Sequence, residues 1–267
     1  MSDFYTHRVL SCHPDGSDLR EEAAVPEQPS GLGWLPDGRL LVVSMRDRRV
    51  LRREPDGTLV THADLAGVAR GLCNDMVVDA AGRAYVGCFG FDLMTGAPVA
   101  PAPLIRVDPD GTVTVAAEDL LFPNGSVVIG DVLVVAETFG NRISAFHVAA
   151  DGSLGPRRDW ARFGDVPTST DVGEALGSIA LAPDGICADA EGAVWAADAL
   201  GNRAVRVREG GEIVDEINAG TGVYACALGG DDGHTLFLCT APSFAEHERR
   251  DTRDAALLAV RVDVPAS

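Results

Sequence analysis

Six recurrences of a short strand-and-turn unit, apolar runs of five or six residues closed by Asp-Gly, Gly-Arg or Gly-Asn, and no amphipathic stretch of ten residues with helical period together predict an all-β chain. Repeats spaced 40 to 60 residues apart, each with three or four short strands, predict one architecture in particular, a six-bladed β-propeller.

The units can be followed in order. Arg8-Val9-Leu10 with Pro14-Asp15-Gly16 recurs 41 residues on as Arg49-Val50-Leu51 with Pro55-Asp56-Gly57, and after 54 more as Leu104-Ile105-Arg106-Val107 leading to Pro109-Asp110-Gly111. Looser copies are Arg142–Phe146 with Asp151-Gly152, Arg203–Val207 with Gly210-Gly211, and Leu258–Asp263. A second piece repeats at an offset of 61: Asp131–Arg142, with Glu137-Thr138-Phe139-Gly140-Asn141-Arg142, matches Gly192–Arg203, with Asp198-Ala199-Leu200-Gly201-Asn202-Arg203. Related apolar runs are Arg39–Ser44, Arg83–Cys88 and Thr235–Thr240, all of strand length.

Unit two opens with an inner strand, Ser30-Gly31-Leu32-Gly33-Trp34, about 20 residues before its Arg-Val-Leu strand. Subtracting the 41-residue offset places the matching strand of unit one ahead of Met1, so blade one is expected to be N-terminally incomplete, with Met1 inside its second strand. The chain 1–267 reads as a single propeller domain, with a blade-one remnant over 1–26 and blades two to six over about 27–267. Residues upstream of Met1, including an apolar inner strand that carries a Glu, are expected in the natural gene, and the open blade could pair with a second copy as a homodimer. The polar segment from Trp160 to Ala182 reads as either a mobile loop or a lid.

With 22 basic and 40 acidic residues the net charge is −18, and no run of adjacent basic residues exceeds a pair such as Arg48-Arg49. That argues against a nucleic-acid partner, which requires a basic face, and against an anionic membrane surface. No apolar run reaches the roughly 20 residues of a membrane span, and Met1–Tyr5 lacks the basic and apolar regions of a secretory signal, which reads as cytoplasmic. Cys12, Cys73, Cys88, Cys187, Cys226 and Cys239 stand singly, as small buried hydrophobes in a reducing compartment, and Cys73 is expected to face away from Asn74.

Nucleophile elbows, H-E-x-x-H and EF-hand loops are absent. What remains is one polar residue at the head of each of three consecutive inner strands: Asn74 in Cys73-Asn74-Asp75, Asn124 in Pro123-Asn124-Gly125, and Asp184 in Pro183-Asp184-Gly185. Amide and carboxylate oxygens on one channel form a hard, oxygen-only set suited to Ca²⁺, Mg²⁺ or Mn²⁺. Pro-Asp-Gly is also a common turn, as at Pro14, Pro36 and Pro55. Asp184 differs in leading into an apolar strand, Ile186-Cys187-Ala188.

From about Ser30 to Ser243 the chain resembles the senescence marker protein (regucalcin), gluconolactonase and luciferin-regenerating enzyme family. The resemblance rests on Asn74-Asp75 with Val78–Arg83, Asn124-Gly125 with Val134–Thr138, and Pro183–Ile186 with Asp189–Trp195. It implies a propeller that binds one divalent cation, Ca²⁺ first, with Mn²⁺, Zn²⁺ or Mg²⁺ as alternatives, and that hydrolyses a small-molecule lactone or ester. It further implies Asn124 and Asp184 as cation ligands, Asp184 as general base for the attacking water, and Asn74 at the substrate. The family's remaining Glu ligand belongs to the inner strand that blade one lacks. Spacing argues against Ser30 in its place, and Glu27 is a substitute from the preceding loop. Leu72 stands where sugar-acid-binding members carry an Arg, which implies a less polar lactone. A non-catalytic propeller with a decayed metal site, binding a small molecule or a protein, is the alternative.

Overall fold

The computed structural model describes residues 1–267. They form six antiparallel sheets, the six blades that the repeats predict, in two compact units, Met1–Pro123 and Asn124–Ser267. In the first unit, blade one is β1 (Ser2–Asp3), β2 (Arg8–Ser11) and β3 (Arg20–Ala24). Blade two is β4 (Pro29–Trp34), β5 (Leu40–Ser44), β6 (Arg49–Arg53) and β7 (Leu59–Asp64), and blade three is β8 (Cys73–Val78), β9 (Ala84–Cys88), β10 (Ala102–Val107) and β11 (Val113–Leu120).

Blade four begins at the boundary with β12 (Pro123–Ile129), followed by β13 (Val132–Glu137), β14 (Arg142–His147) and β15 (Arg158–Arg162). Blade five is β16 (Pro183–Ala188), β17 (Val194–Asp198), β18 (Arg203–Val207) and β19 (Ile213–Asn218), and blade six is β20 (Gly222–Gly229), β21 (Thr235–Ala241) and β22 (Ala256–Arg261). Two short α-helices, α1 (Val172–Gly177) and α2 (Glu246–Arg249), and a 3₁₀ turn, Thr138–Gly140, complete the secondary structure, and no helix is long and apolar enough to cross a membrane.

Register confirms the reading of blade one. Val9 faces Ala23 as Val50 faces Ala63, and Ser2 faces Val9 as Val43 faces Val50, so β1, β2 and β3 match the second, third and fourth strands of blade two.

The second strands show why the apolar runs were continuous. Every residue of β5, β9 and β17 is buried, because each is covered on both faces. In β5, Leu40 and Val42 join Val9, Ala23 and Val25 of blade one, whereas Leu41 and Val43 join Met76, Val86 and Ile105 of blade three. In β17, Val194 and Ala196 pack with Val134, Ile143 and Trp160, whereas Trp195 and Ala197 pack with Val223, Leu236 and Leu238. The last strands, such as β19, alternate towards solvent.

The repeated carboxylate-to-arginine piece is a corner. Glu137 ends β13, Asn141 turns with φ 53°, and Arg142 opens β14 with both Nε and Nη2 donating to Glu137 at 2.9 Å. Asn202 with φ 55° and the Arg203 to Asp198 bond at 3.0 Å reproduce it in blade five. A left-handed residue precedes the third strand of blades one and two as well, at His7 and Arg48, where the tight reversal requires it.

The Trp160–Ala182 segment carries regular structure. Its first residues belong to β15, and α1 is capped by Asp171, whose side chain accepts from the Glu174 amide at 2.9 Å. Beyond the helix, the Asn141 amide oxygen accepts from the Ala180 backbone at 3.1 Å and holds the return to blade five.

Candidate active site at the heads of the inner strands

Asn74 and Asp184 lie where their strands are locally out of register. Cys73 faces Cys88 and Met76 faces Val86, so Asn74 and Asp75 together oppose Gly87. Pro183 faces Asp198 and Ile186 faces Ala196, so Asp184 and Gly185 together oppose Ala197. The same irregularity sets Ser30 and Gly31 against Val43, and leaves Tyr224 without an opposing residue between Val223 and Ala225. A bulge adds a residue, breaks the pleat and re-aims a side chain, which is why bulges accompany active sites. Asn124 shares the Pro-x-Gly setting of Asp184 and Ser30.

Small residues after these positions let neighbouring inner strands approach. A Cβ on Gly125 would stand 2.6 Å from the Asp184 carbonyl oxygen, and one on Gly185 would stand 2.7 Å from the Ala225 Cα. Unlike Gly16, Gly38 and Gly57 in the Pro-Asp-Gly turns, Gly185 does not have positive φ, so Pro183-Asp184-Gly185 is a strand head and not a turn.

In the first unit, buried Asn74 donates its amide nitrogen to the Pro123 carbonyl at 3.4 Å. Beside it, burial pushes the Asp75 carboxyl up to about 6, against the single opposing effect of a hydrogen bond from the Met76 amide. Buried Ser30 accepts at its carbonyl from the Ser2 hydroxyl. The Leu72 carbonyl accepts from the Phe89 amide at 2.9 Å, and the Phe89 ring lies 4.3 Å from that of Phe122, an apolar flank to the Asn74 strand. Cys73 faces away from Asn74 into the core, where its neighbour Cys88 and burial raise its thiol pKa. Glu27, the substitute ligand that the sequence offers, is exposed in the loop before β4, and its carbonyl accepts from the Arg46 amide.

In the second unit Asn124 and Asp184 are brought together. The Asn124 amide nitrogen donates to the Thr138 hydroxyl at 3.1 Å, and that hydroxyl donates to the Pro183 carbonyl, the residue before Asp184, at 2.8 Å. Committing the nitrogen leaves the Asn124 amide oxygen as the free end. Half-buried Asp184 has Tyr224 as a neighbour, whose phenol is pushed up by burial first and by the Asp184 charge second, with Arg249 opposing. Thr138 and Tyr224 were not read from sequence, Thr138 because its role depends on a neighbouring blade, and Tyr224 because Gly222–Gly229 carries no turn motif at its head.

The donor set fits a hard divalent cation. It consists of one amide oxygen fixed by a hydrogen bond on its nitrogen and one carboxylate on the neighbouring inner strand, both hard oxygen donors, and no group of three His, Cys, Asp or Glu that could hold a metal ion stands with them. One formal negative charge leaves the remaining coordination positions to water or substrate.

Residues 1–242 match the SMP-30/Gluconolactonase/LRE-like region. The chain is 28% identical to a pentonolactonase of Haloferax volcanii over 236 residues, covering 86% of this chain and 75% of that one. Among solved structures it is similar to a calcium-binding protein, regucalcin, of Agrobacterium tumefaciens, with TM-score 0.76, 19% identity and coverage of 100% and 86% of the two chains. A gluconolactonase of Xanthomonas campestris gives TM-score 0.68 at 22% identity, covering 90% and 78%. These likenesses show the six-bladed propeller fold, and the match over most of the sequence shows more: the chain belongs to the SMP-30/gluconolactonase/LRE-like family.

Proposed function

We propose that this chain is a divalent-cation-dependent lactone hydrolase in which Asn124 and Asp184 hold the cation, Asp184 serves as the general base, and Asn74 contacts the substrate. The observation that carries the reading is the locked Asn124 amide, its nitrogen spent on Thr138 and its oxygen left free beside the strand of Asp184. When bound, the cation supplies Lewis-acid polarisation of the lactone carbonyl. Asp184 accepts a proton from water as the water oxygen bonds to the carbonyl carbon, and the ring C–O bond then breaks, with the leaving alkoxide taking up a proton to give the hydroxy acid. The Thr138 hydroxyl keeps Asn124 and the Pro183-Asp184 backbone in fixed relation, so neither group must reorganise during the reaction.

Leu72, at the position where the resemblance implies an Arg in sugar-acid-binding members, favours an aliphatic lactone over a polyhydroxylated one, because its side chain cannot hydrogen-bond sugar hydroxyls. Family membership supports lactone hydrolysis at the coarser level. The test is a panel of aliphatic and sugar lactones assayed with Ca²⁺, Mn²⁺, Zn²⁺ or Mg²⁺, against chelator and against Asp184→Asn. Full turnover in chelator, or by the variant, overturns the assignment.

The single formal charge of the donor set favours a second reading, a binding module without catalysis. Its mark is the absence of any thermal stabilisation by millimolar divalent cation, since a ligand that prefers the native state must raise its stability.

A further inference from the structure

Tyr224 occupies on β20 the place that Asp184 occupies on β16, the residue out of register at the head of an inner strand. Its phenol is half-buried, and its hydroxyl makes no hydrogen bond to the protein. A half-buried phenol ordinarily finds a partner for its O–H. The ring is nevertheless held. The Phe244 ring packs edge-on against it at 6.4 Å, and the hydroxyl end lies over Gly222, where a Cβ would come within 2.5 Å of the oxygen. The charged groups around it are Asp184, Glu248 and Arg249. A phenol fixed by packing, with its hydroxyl unspent and a carboxylate as neighbour, is built to donate to something outside the protein.

We propose that Tyr224 is a substrate-contacting residue: its hydroxyl donates a hydrogen bond to an oxygen of a lactone whose carbonyl carbon lies at Asp184, while its ring walls the apolar side of the lactone ring. No bond is made or broken at the phenol. The inference rests on the lactonase reading and deepens it, since it selects compact rings with an apolar face and at least one acceptor oxygen on the Tyr224 side. Phe244, exposed at the surface, is a positioning residue that keeps the phenol over Gly222.

The test compares the parent chain with Tyr224→Phe and Phe244→Ala on γ- and δ-lactones in the activating cation, with melting temperature measured alongside. Removing the hydroxyl is expected to lower kcat/KM about ten- to thirty-fold, the scale of one hydrogen bond to a group developing charge, and to leave the melting temperature unchanged because no protein partner is lost. Phe244→Ala should lower kcat/KM in the parent background and have little further effect in Tyr224→Phe. Unchanged kcat/KM in Tyr224→Phe overturns the contact while the lactonase reading stands. A loss of activity matched by a fall in melting temperature makes Tyr224 a packing residue and also overturns it. A parent chain that opens no lactone with any cation overturns the lactonase reading, and this inference with it.

Discussion

The Asn124 side chain donates to the Thr138 hydroxyl at 3.1 Å, and that bond decides which end of the amide is left for a ligand. Thr138 in turn donates to the Pro183 carbonyl at 2.8 Å, so a single buried hydroxyl ties two inner strands at the residues proposed to bind the cation. Thr138→Val keeps the volume and removes both bonds. It is expected to cost about 1–3 kcal/mol of stability and to weaken cation affinity about ten-fold or more, whereas Thr138→Ser should retain most of both. Thermal unfolding with and without Ca²⁺ measures the two effects together.

Asp184→Asn removes the one formal charge of the proposed donor set and its basic oxygen while keeping the shape of the side chain. Turnover is expected to fall about 10²- to 10⁴-fold, the range of a positioned general base. Calorimetric titration with Ca²⁺ should show weaker binding, since affinity follows the charge of the ligand set. Parent-like affinity in the variant would remove Asp184 from the ligands.

Asp75 makes stability depend on pH. Burial raises its carboxyl to about 6, so the folded chain holds that proton more tightly than the unfolded chain does. The stability this gives is fully present below the unfolded pKa, near 4, and is lost as the pH rises through about 6. Asp75→Asn is neutral throughout. Its stability relative to the parent is expected to rise by about 1–3 kcal/mol between about pH 4 and pH 7.5, measured by urea unfolding in chelator. A pH-independent difference would show that Asp75 keeps an ordinary pKa.

Glu137 is fully buried and receives two bonds from Arg142 at 2.9 Å, with the Ser144 hydroxyl as a third donor. Glu137→Gln would leave the largely buried guanidinium only the longer ion-pair contact to Asp159, at 4.0 Å. The expected loss is about 3–5 kcal/mol, read as a lower urea midpoint. Arg203→Gln in the matching corner of blade five should cost less, because its guanidinium is more exposed and also reaches Glu216 at the surface.

The blades were legible because their signals are local. Val50, Val107 and Val205 lie in short apolar runs that recur along the chain, and Gly16, Gly38 and Gly57 mark turns with φ above +80°, whatever the rest of the chain does. Asn74, Asn124 and Asp184 were legible for a related reason: each begins an apolar strand, where a turn residue has no reason to be. Thr138 was not, since its value lies in the Pro183 carbonyl on another blade. Tyr224 was hidden because a Tyr in a strand is the usual propensity choice, and only the register with β21 shows it out of the pleat. In the Trp160–Ala182 segment a polar composition concealed a six-residue capped helix and the tether from Asn141.

Leu40 and Leu41 are covalent neighbours that inhabit different interiors, one shared with Val9 and Val25, the other with Met76 and Ile105. Energetic acquaintance in this molecule therefore runs sideways, from blade to blade, and not along the backbone. In a double-mutant cycle Leu40→Ala and Leu41→Ala should behave as near strangers, while Leu41 and Ile105, 64 positions apart in the sequence, should be strongly non-additive. Each second strand is in this sense a party wall, and damage to one of its faces is felt by the neighbour on that side.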